Sequence, residues 1–175
     1  MMRSGFFLSP FQRTLRSFFW MTFAMVLLTS CKDDAIFDQF VTLPEKGWHE
    51  DSVMTFSVEI TDTVSRYEIF LTIRNTEDYP FSNLFLFREI ETRNELQFRD
   101  TAQYLLADRF GKWLGKGLGA LRTNTFIYKN QALRFTHMGV YTFTLQHGMR
   151  EEWLPGITDV GLRLVPAKDP PPNKK

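Results

Sequence analysis

The sequence predicts an all-β protein: an antiparallel β-sandwich, jelly-roll or immunoglobulin-like, preceded by a lipoprotein signal peptide. Three observations carry this. Apolar and polar residues alternate at period two through several short segments. Met54, Phe56, Val58 and Ile60, for example, oppose Thr55, Ser57 and Glu59, which gives that segment one apolar face. Turn residues separate eight or nine such segments, and no amphipathic helix of comparable length competes with them. Phenylalanine accounts for 18 of 175 residues, and aromatic side chains suit a pleated surface better than a helix.

The chain opens with export grammar. Arg3, Arg13 and Arg16 supply positive charge, no acidic residue precedes Cys31, and residues 18–28 form an apolar core. As a helix that core would be roughly 16 Å long, about half the hydrocarbon thickness of a bilayer, so it is too short for a permanent span. Leu28-Thr29-Ser30-Cys31 follows, with small residues just before the only cysteine. The pattern is similar to bacterial lipoprotein signals, in which the segment equivalent to residues 1–30 is removed and the cysteine becomes the acylated N-terminus. A thiolate accepts the diacylglyceryl group, and several palmitate-like chains, at about 0.8 kcal/mol per buried methylene, hold a domain on a membrane. With one cysteine no disulfide framework can form, so the fold must rest on its own core.

Residues 31–40 read as the lipidated N-terminus and a short tether. Lys32, Asp33 and Asp34 form a charged step, and residues 36–41 could be a first strand. Residues 41–165 read as the sandwich domain. After residues 54–60, Tyr67, Ile69, Leu71 and Ile73 repeat the alternation, and Thr61-Asp62-Thr63 between the two segments suggests a hairpin. Residues 75–80 end the second strand by turn chemistry. Leu84-Phe85-Leu86-Phe87 is apolar on both faces, as expected in the middle of a sandwich. Residues 95–106 supply another strand with a bend at Asp100-Thr101, although residues 102–110 could also form a short helix. Gly111, Gly115, Gly117 and Gly119, with Trp113 and Leu114, make a loop that no regular element accommodates. Strand signals resume at residues 125–128, 133–135, 141–145 and 160–164. Residues 166–175, rich in proline and lysine, read as a disordered tail.

The formal net charge is +1, and removing the first thirty residues with their three arginines leaves −2. Cations and carboxylates are intermixed, which is no footprint for nucleic acid. Gly111-x-x-x-Gly115-Lys116-Gly117 lacks the spacing and the hydroxyl residue of a phosphate loop. His49, His137 and His147 are scattered, and His49-Glu50 lacks the second histidine of a zinc helix, so neither metal nor cofactor is expected. No Gly-x-Ser-x-Gly elbow occurs. Asp100, Asp108, Glu151 and Glu152 could pair as a glycosidase acid and base only if the fold set their separation, and structural or solvated roles are the simpler reading.

Three segments together resemble the gliding-motility lipoprotein family of the GldH type. The first is Leu105-Leu106-Ala107-Asp108, continuing to Gly111-Lys112-Trp113-Leu114-Gly115-Lys116-Gly117-Leu118-Gly119. The second is Gly139-Val140-Tyr141-Thr142-Phe143, ending in Gly148-Met149-Arg150. The third is Leu154-Pro155-Gly156-Ile157-Thr158-Asp159-Val160-Gly161-Leu162-Arg163. The resemblance implies an outer-membrane lipoprotein of Bacteroidetes-type bacteria, needed for gliding, linked to type IX secretion, and acting as an accessory, noncatalytic component. Lys32-Asp33-Asp34 also resembles the lysine-acidic-acidic tag that sends such lipoproteins to the outer face, which favours the cell surface over the periplasmic face.

The expected partners are the membrane, through the lipid anchor, and other gliding and secretion proteins of the envelope. Trp113, Arg150 and Trp153 are the candidate binding rim, because flat rings and a positioned cation beside Gly or Pro suit a partner contact. They would equally suit stacking on a glycan. Arg150 could instead pair internally with Asp159.

Overall fold

The computed structural model describes residues 34–168 except 94 and 118, so Cys31, Lys32, Asp33, the signal segment and residues 169–175 lie outside the described residues. Eight strands form two antiparallel four-stranded sheets. In order across the first sheet stand β1 (Phe37–Thr42), β10 (Ile157–Pro166), β4 (Tyr67–Asn75) and β7 (Arg122–Ile127). The second holds β3 (Met54–Ile60), β8 (Gly139–His147), β5 (Asn83–Thr92) and β6 (Glu95–Leu105). A two-stranded ribbon pairs β2 (Trp48–His49) with β9 (Trp153–Leu154).

The pairing is nested. β5 and β6 form the innermost hairpin; outward from it β4 pairs with β7, β3 with β8, and β1 with β10. A ribbon of eight strands nested in this way and rolled into two sheets is a jelly roll, which decides between the two forms the sequence allowed. Each sheet turns its apolar face inward. Tyr67, Ile69, Leu71 and Ile73 of β4 and Phe56, Val58 and Ile60 of β3 are buried, as are Tyr141, Phe143 and Leu145 of β8. Phe37 and Phe56 meet edge to face at 6.3 Å between centroids and close the side where β1 lies over β3.

Alternation places Arg88 of β5 among these inward positions. Burial works against its charge. Asp100, Tyr104 and Tyr128 together outweigh that cost: Asp100 accepts from Arg88 Nε at 2.7 Å and from Nη2, while Tyr104 Oη at 2.7 Å and the Tyr128 carbonyl accept from Nη1. The net result is a guanidinium pKa above its usual value, and the group ties β5, β6 and the end of β7 together.

The expected hairpin between residues 54–60 and 67–73 does not form. β3 and β4 belong to different sheets and the six residues between them cross the sandwich. Each strand has one fully apolar face, and placing them in opposite layers buries those faces against the same core. Asp62 Oδ1 caps that crossing by accepting from the Val64 amide at 2.7 Å. Residues 133–135 are not a strand either: Leu133 makes an isolated bridge to Tyr67, and Phe135 fills the core end against Tyr67, Tyr141 and Phe143. Of the alternatives over residues 95–110, the strand is realised as far as Leu105. β1 takes up residues 37–40, assigned above to the tether, and Pro166 of the expected tail ends β10. β5 lies in the sheet interior as its two apolar faces suggested, but Phe85 and Phe87 on its outer face are uncovered.

Candidate functional site

The topology gathers the chain's irregular segments at one end of the sandwich. Residues 43–53, 76–82, 106–121 and 148–156 all connect strands there. The opposite end holds the shorter crossing 61–66, the link from β5 to β6, the segment 128–138, and both limits of the described chain.

Three of the four connections at the first end lock to one another. Trp48 is fully buried, donates Nε1–H to the Ser52 carbonyl at 2.7 Å, and packs edge-on against His147. The Gly156 carbonyl accepts from the Thr76 amide at 2.8 Å. Gly156 has φ +77°, and a Cβ there would stand 2.4 Å from the Tyr79 nitrogen, so that approach requires glycine. Tyr79 in turn donates its hydroxyl to the Asn83 carbonyl at 2.8 Å. In the fourth connection Asp108 Oδ1 accepts from the Phe110 and Lys112 amides, Trp113 bridges to Ala107, and Lys116 and Thr123 exchange backbone bonds. The glycine-rich stretch is therefore a folded appendage whose amides serve its own turns.

A groove of about 510 Å³ opens at this end, on the outer side of β5 and β8. It is lined by Phe81, Phe85 and Met149, with Arg150 and Glu151 at its rim. The Gly148 amide donates to the Phe85 carbonyl at 2.8 Å, which fixes the 148–151 turn beside the sheet. Arg150 is exposed and makes no ion pair among the described residues. Asp159, the expected internal partner, instead accepts from Thr42 and Thr158 and faces Arg74.

Trp113, Arg150 and Trp153 thus share one end of the molecule but sit in separate groupings. Trp113 packs on the core beside Ala107, and Arg150 borders the groove. Trp153 has Lys46 Nζ 3.7 Å from its ring centroid and His49 edge-on at 4.6 Å. With a lysine over one face, that ring is poorly placed to stack on a sugar. Asp34 of the candidate export tag is exposed. Of the carboxylates considered for acid–base work, Asp100 pairs with Arg88, Asp108 caps its own turn, and Glu152 faces His49 at 3.5 Å. Among the described residues no group of three or more His, Cys, Asp or Glu could hold a metal ion.

The groove and the Arg88 cluster escaped the sequence. The signal for the groove was the doubly apolar Leu84-Phe85-Leu86-Phe87, which read as burial on both sides. Arg88 gave none, because a cation at an inward position reads as a break in the alternation.

Comparison with known proteins gives a consistent result. The GldH lipoprotein family matches residues 35–164. The chain is 34% identical over 159 residues to a gliding motility lipoprotein GldH homolog of Christiangramia forsetii, covering 87% of this chain and 96% of that protein. It is 34% identical over 148 residues to the gliding motility lipoprotein GldH of Flavobacterium johnsoniae, covering 81% and 91%. Among solved structures, a tobacco streak virus coat protein aligns over 83% of this chain and 96% of its own at 9% identity, with a TM-score of 0.27, too low to support any argument.

Proposed function

Since the chain belongs to the GldH lipoprotein family, we propose that it is a noncatalytic, accessory component of the gliding machinery, linked to type IX secretion and working by contact with other envelope proteins. In this reading acylation at Cys31 holds it on the outer membrane, and Lys32, Asp33 and Asp34 direct it to the cell surface. Confinement to a plane raises its effective concentration beside membrane partners, so that contacts weak in solution become occupied.

The observation that carries the reading is topological. β1 enters at one end of the jelly roll, while the groove and the four long connections stand at the other, a strand's length away. The end remote from the anchor is then free for a partner. An apolar partner side chain would enter between Phe85 and Met149, with Arg150 and Glu151 setting register by charge.

Gliding on agar, cargo secretion and co-purification from detergent-solubilised outer membrane test this together. Cys31→Ala is expected to abolish membrane fractionation and gliding. Phe85→Asp with Arg150→Glu should keep fractionation but lose the co-purified envelope proteins and gliding. Recovery of the unaltered protein as a free monomer under mild conditions would count decisively against it, and protease shaving of intact cells checks the surface assignment.

A further inference from the structure

β7 is an edge strand whose outer side is only partly covered. The Thr123 amide and carbonyl turn away from β4 and exchange bonds of 2.7 and 2.9 Å with Lys116, while the Tyr128 amide turns toward β4 and donates to the Ile69 carbonyl at 2.8 Å. Antiparallel backbone groups alternate from side to side, so Thr125 and Ile127 present their N–H and C=O on the same side as Thr123. No strand among the described residues stands beside them. The segment that pairs with Thr123 does not extend there, because its chain diverges: the Leu114 amide donates to the Leu106 carbonyl at 2.8 Å.

The divergence opens a wedge of about 330 Å³ between β7, the last residue of β6 and the glycine-rich segment. Leu105, Leu114 and Phe126 supply apolar walls, and Lys116, which makes no ion pair among the described residues, supplies the charge. Asn124, 5% exposed, also lines it. The Asn124 amide nitrogen is turned toward β4, donating to Asn75 Oδ1 at 2.9 Å and to the Ile73 carbonyl at 3.4 Å. Its oxygen accepts no hydrogen bond among the described residues. A Cβ at Gly115 would stand 2.8 Å from that oxygen, so glycine at this lining position leaves it approachable. A buried acceptor without a partner costs free energy, which a donor on a ligand would recover.

We propose that the wedge and the free side of β7 bind an extended peptide segment of a partner protein as an added strand. Its backbone pairs with Thr125 and Ile127, and an apolar side chain enters between Leu105, Leu114 and Phe126. A donor side chain meets the Asn124 oxygen, and an acidic one meets Lys116 at the mouth. Consecutive strand side chains point to opposite faces, so the ligand alternates inward residues with acidic outward ones. A row of backbone donors and acceptors selects a strand over a glycan or a lipid. A second copy of this chain fits poorly, because Thr123 of its own β7 is already taken by Lys116 and only Thr125 and Ile127 are left to pair. The site is separate from the groove on β5 and β8.

The test titrates the full mature chain, in detergent micelles, against fluorescein-labelled hexapeptides of the form Thr-X-Asp-Z-Asp-Thr, with X and Z drawn from Val, Leu, Phe, Ser, Thr and Gln. At least one is expected to bind at millimolar concentration or below and to slow amide exchange at Thr125 and Ile127 several-fold. Thr125→Pro removes an outward amide at an edge, where proline is tolerated. That change and Leu114→Asp should each weaken binding at least about tenfold, with Val64→Asp at the other end leaving it unchanged. Lys116→Glu should weaken it several-fold. Thermal melts confirm that each variant is folded. The proposal is overturned by a set in which no peptide binds, by binding that leaves exchange at both amides as it was, or by binding that survives Thr125→Pro and Leu114→Asp. Dimerisation of the peptide-free chain with those two amides protected assigns the edge to a second copy and overturns it as well. None of these outcomes bears on the groove, whose failure is read from co-purification.

Discussion

Arg88 on β5 and Asp100 on β6 stand opposite each other in register, and their ion pair faces into the sandwich. The arginine side chain is 7% exposed and the aspartate 36%, so the pair bridges the core and the open side where β6 lies. Tyr104 and the Tyr128 carbonyl take the remaining donors, and the Tyr128 ring lies 4.4 Å from the guanidinium carbon.

Removing one partner of this pair should be costly in an asymmetric way. Asp100→Ala leaves a buried guanidinium with only neutral acceptors and is expected to destabilise by about 3 kcal/mol. Arg88→Met leaves Asp100 able to reach water and should cost about half as much. Urea denaturation of both variants checks the order.

His147 makes stability depend on pH. Among the described residues neither ring nitrogen has a hydrogen bond of ordinary geometry, and burial holds the ring below its usual 6.5, with nearby His49 adding to the depression and the Trp48 backbone and Glu50 opposing it. The unfolded chain takes up its proton near pH 6.5 and the folded chain only at lower pH. Stability from this group is therefore complete above that value and falls as pH drops through it. Thermal melts of the protein and of His147→Leu between about pH 7.5 and pH 5 should show a shallower acid-side decline in the variant.

The glycines divide by what surrounds them. Gly156→Ala must both hold φ near +77° and displace the Tyr79 backbone, and is expected to cost more than about 2 kcal/mol. Gly119, at φ +69° and with no atom of the described residues within 4 Å of where a Cβ would stand, should lose only about 1 kcal/mol on the same change. Chemical denaturation separates the two.

Phenylalanines on opposite faces of the second sheet should behave oppositely. Phe143→Ala opens a cavity in the fully buried core and is expected to cost about 3–5 kcal/mol. Phe85→Ala, at an exposed groove position, should change stability by less than about 1 kcal/mol while reducing gliding. Denaturation midpoints and spreading on agar together check the contrast.

Much of this architecture was legible in the residues. Period two at Met54, Phe56, Val58 and Ile60 located β3 and its buried face, and Tyr67 to Ile73 did the same for β4. The partner of each strand was not legible, because a ladder is made by backbone groups common to all residues. Thr61-Asp62-Thr63 could serve a hairpin or a crossing between sheets, and only the gain from burying two apolar faces against one core selects the crossing. Phe135 was misread for a related reason: local alternation cannot distinguish a strand residue from a plug held by Tyr67, Tyr141 and Phe143.

Sequence alone determined that this chain is built of strands with one apolar face each and that its motifs resemble one lipoprotein family. Tertiary structure decided which strands share a sheet, that Trp153 lies under a lysine, and that Phe85 borders a groove. Side-chain pattern is a local property of the chain. Pairing and coverage arise only when segments far apart in sequence are brought to the same place.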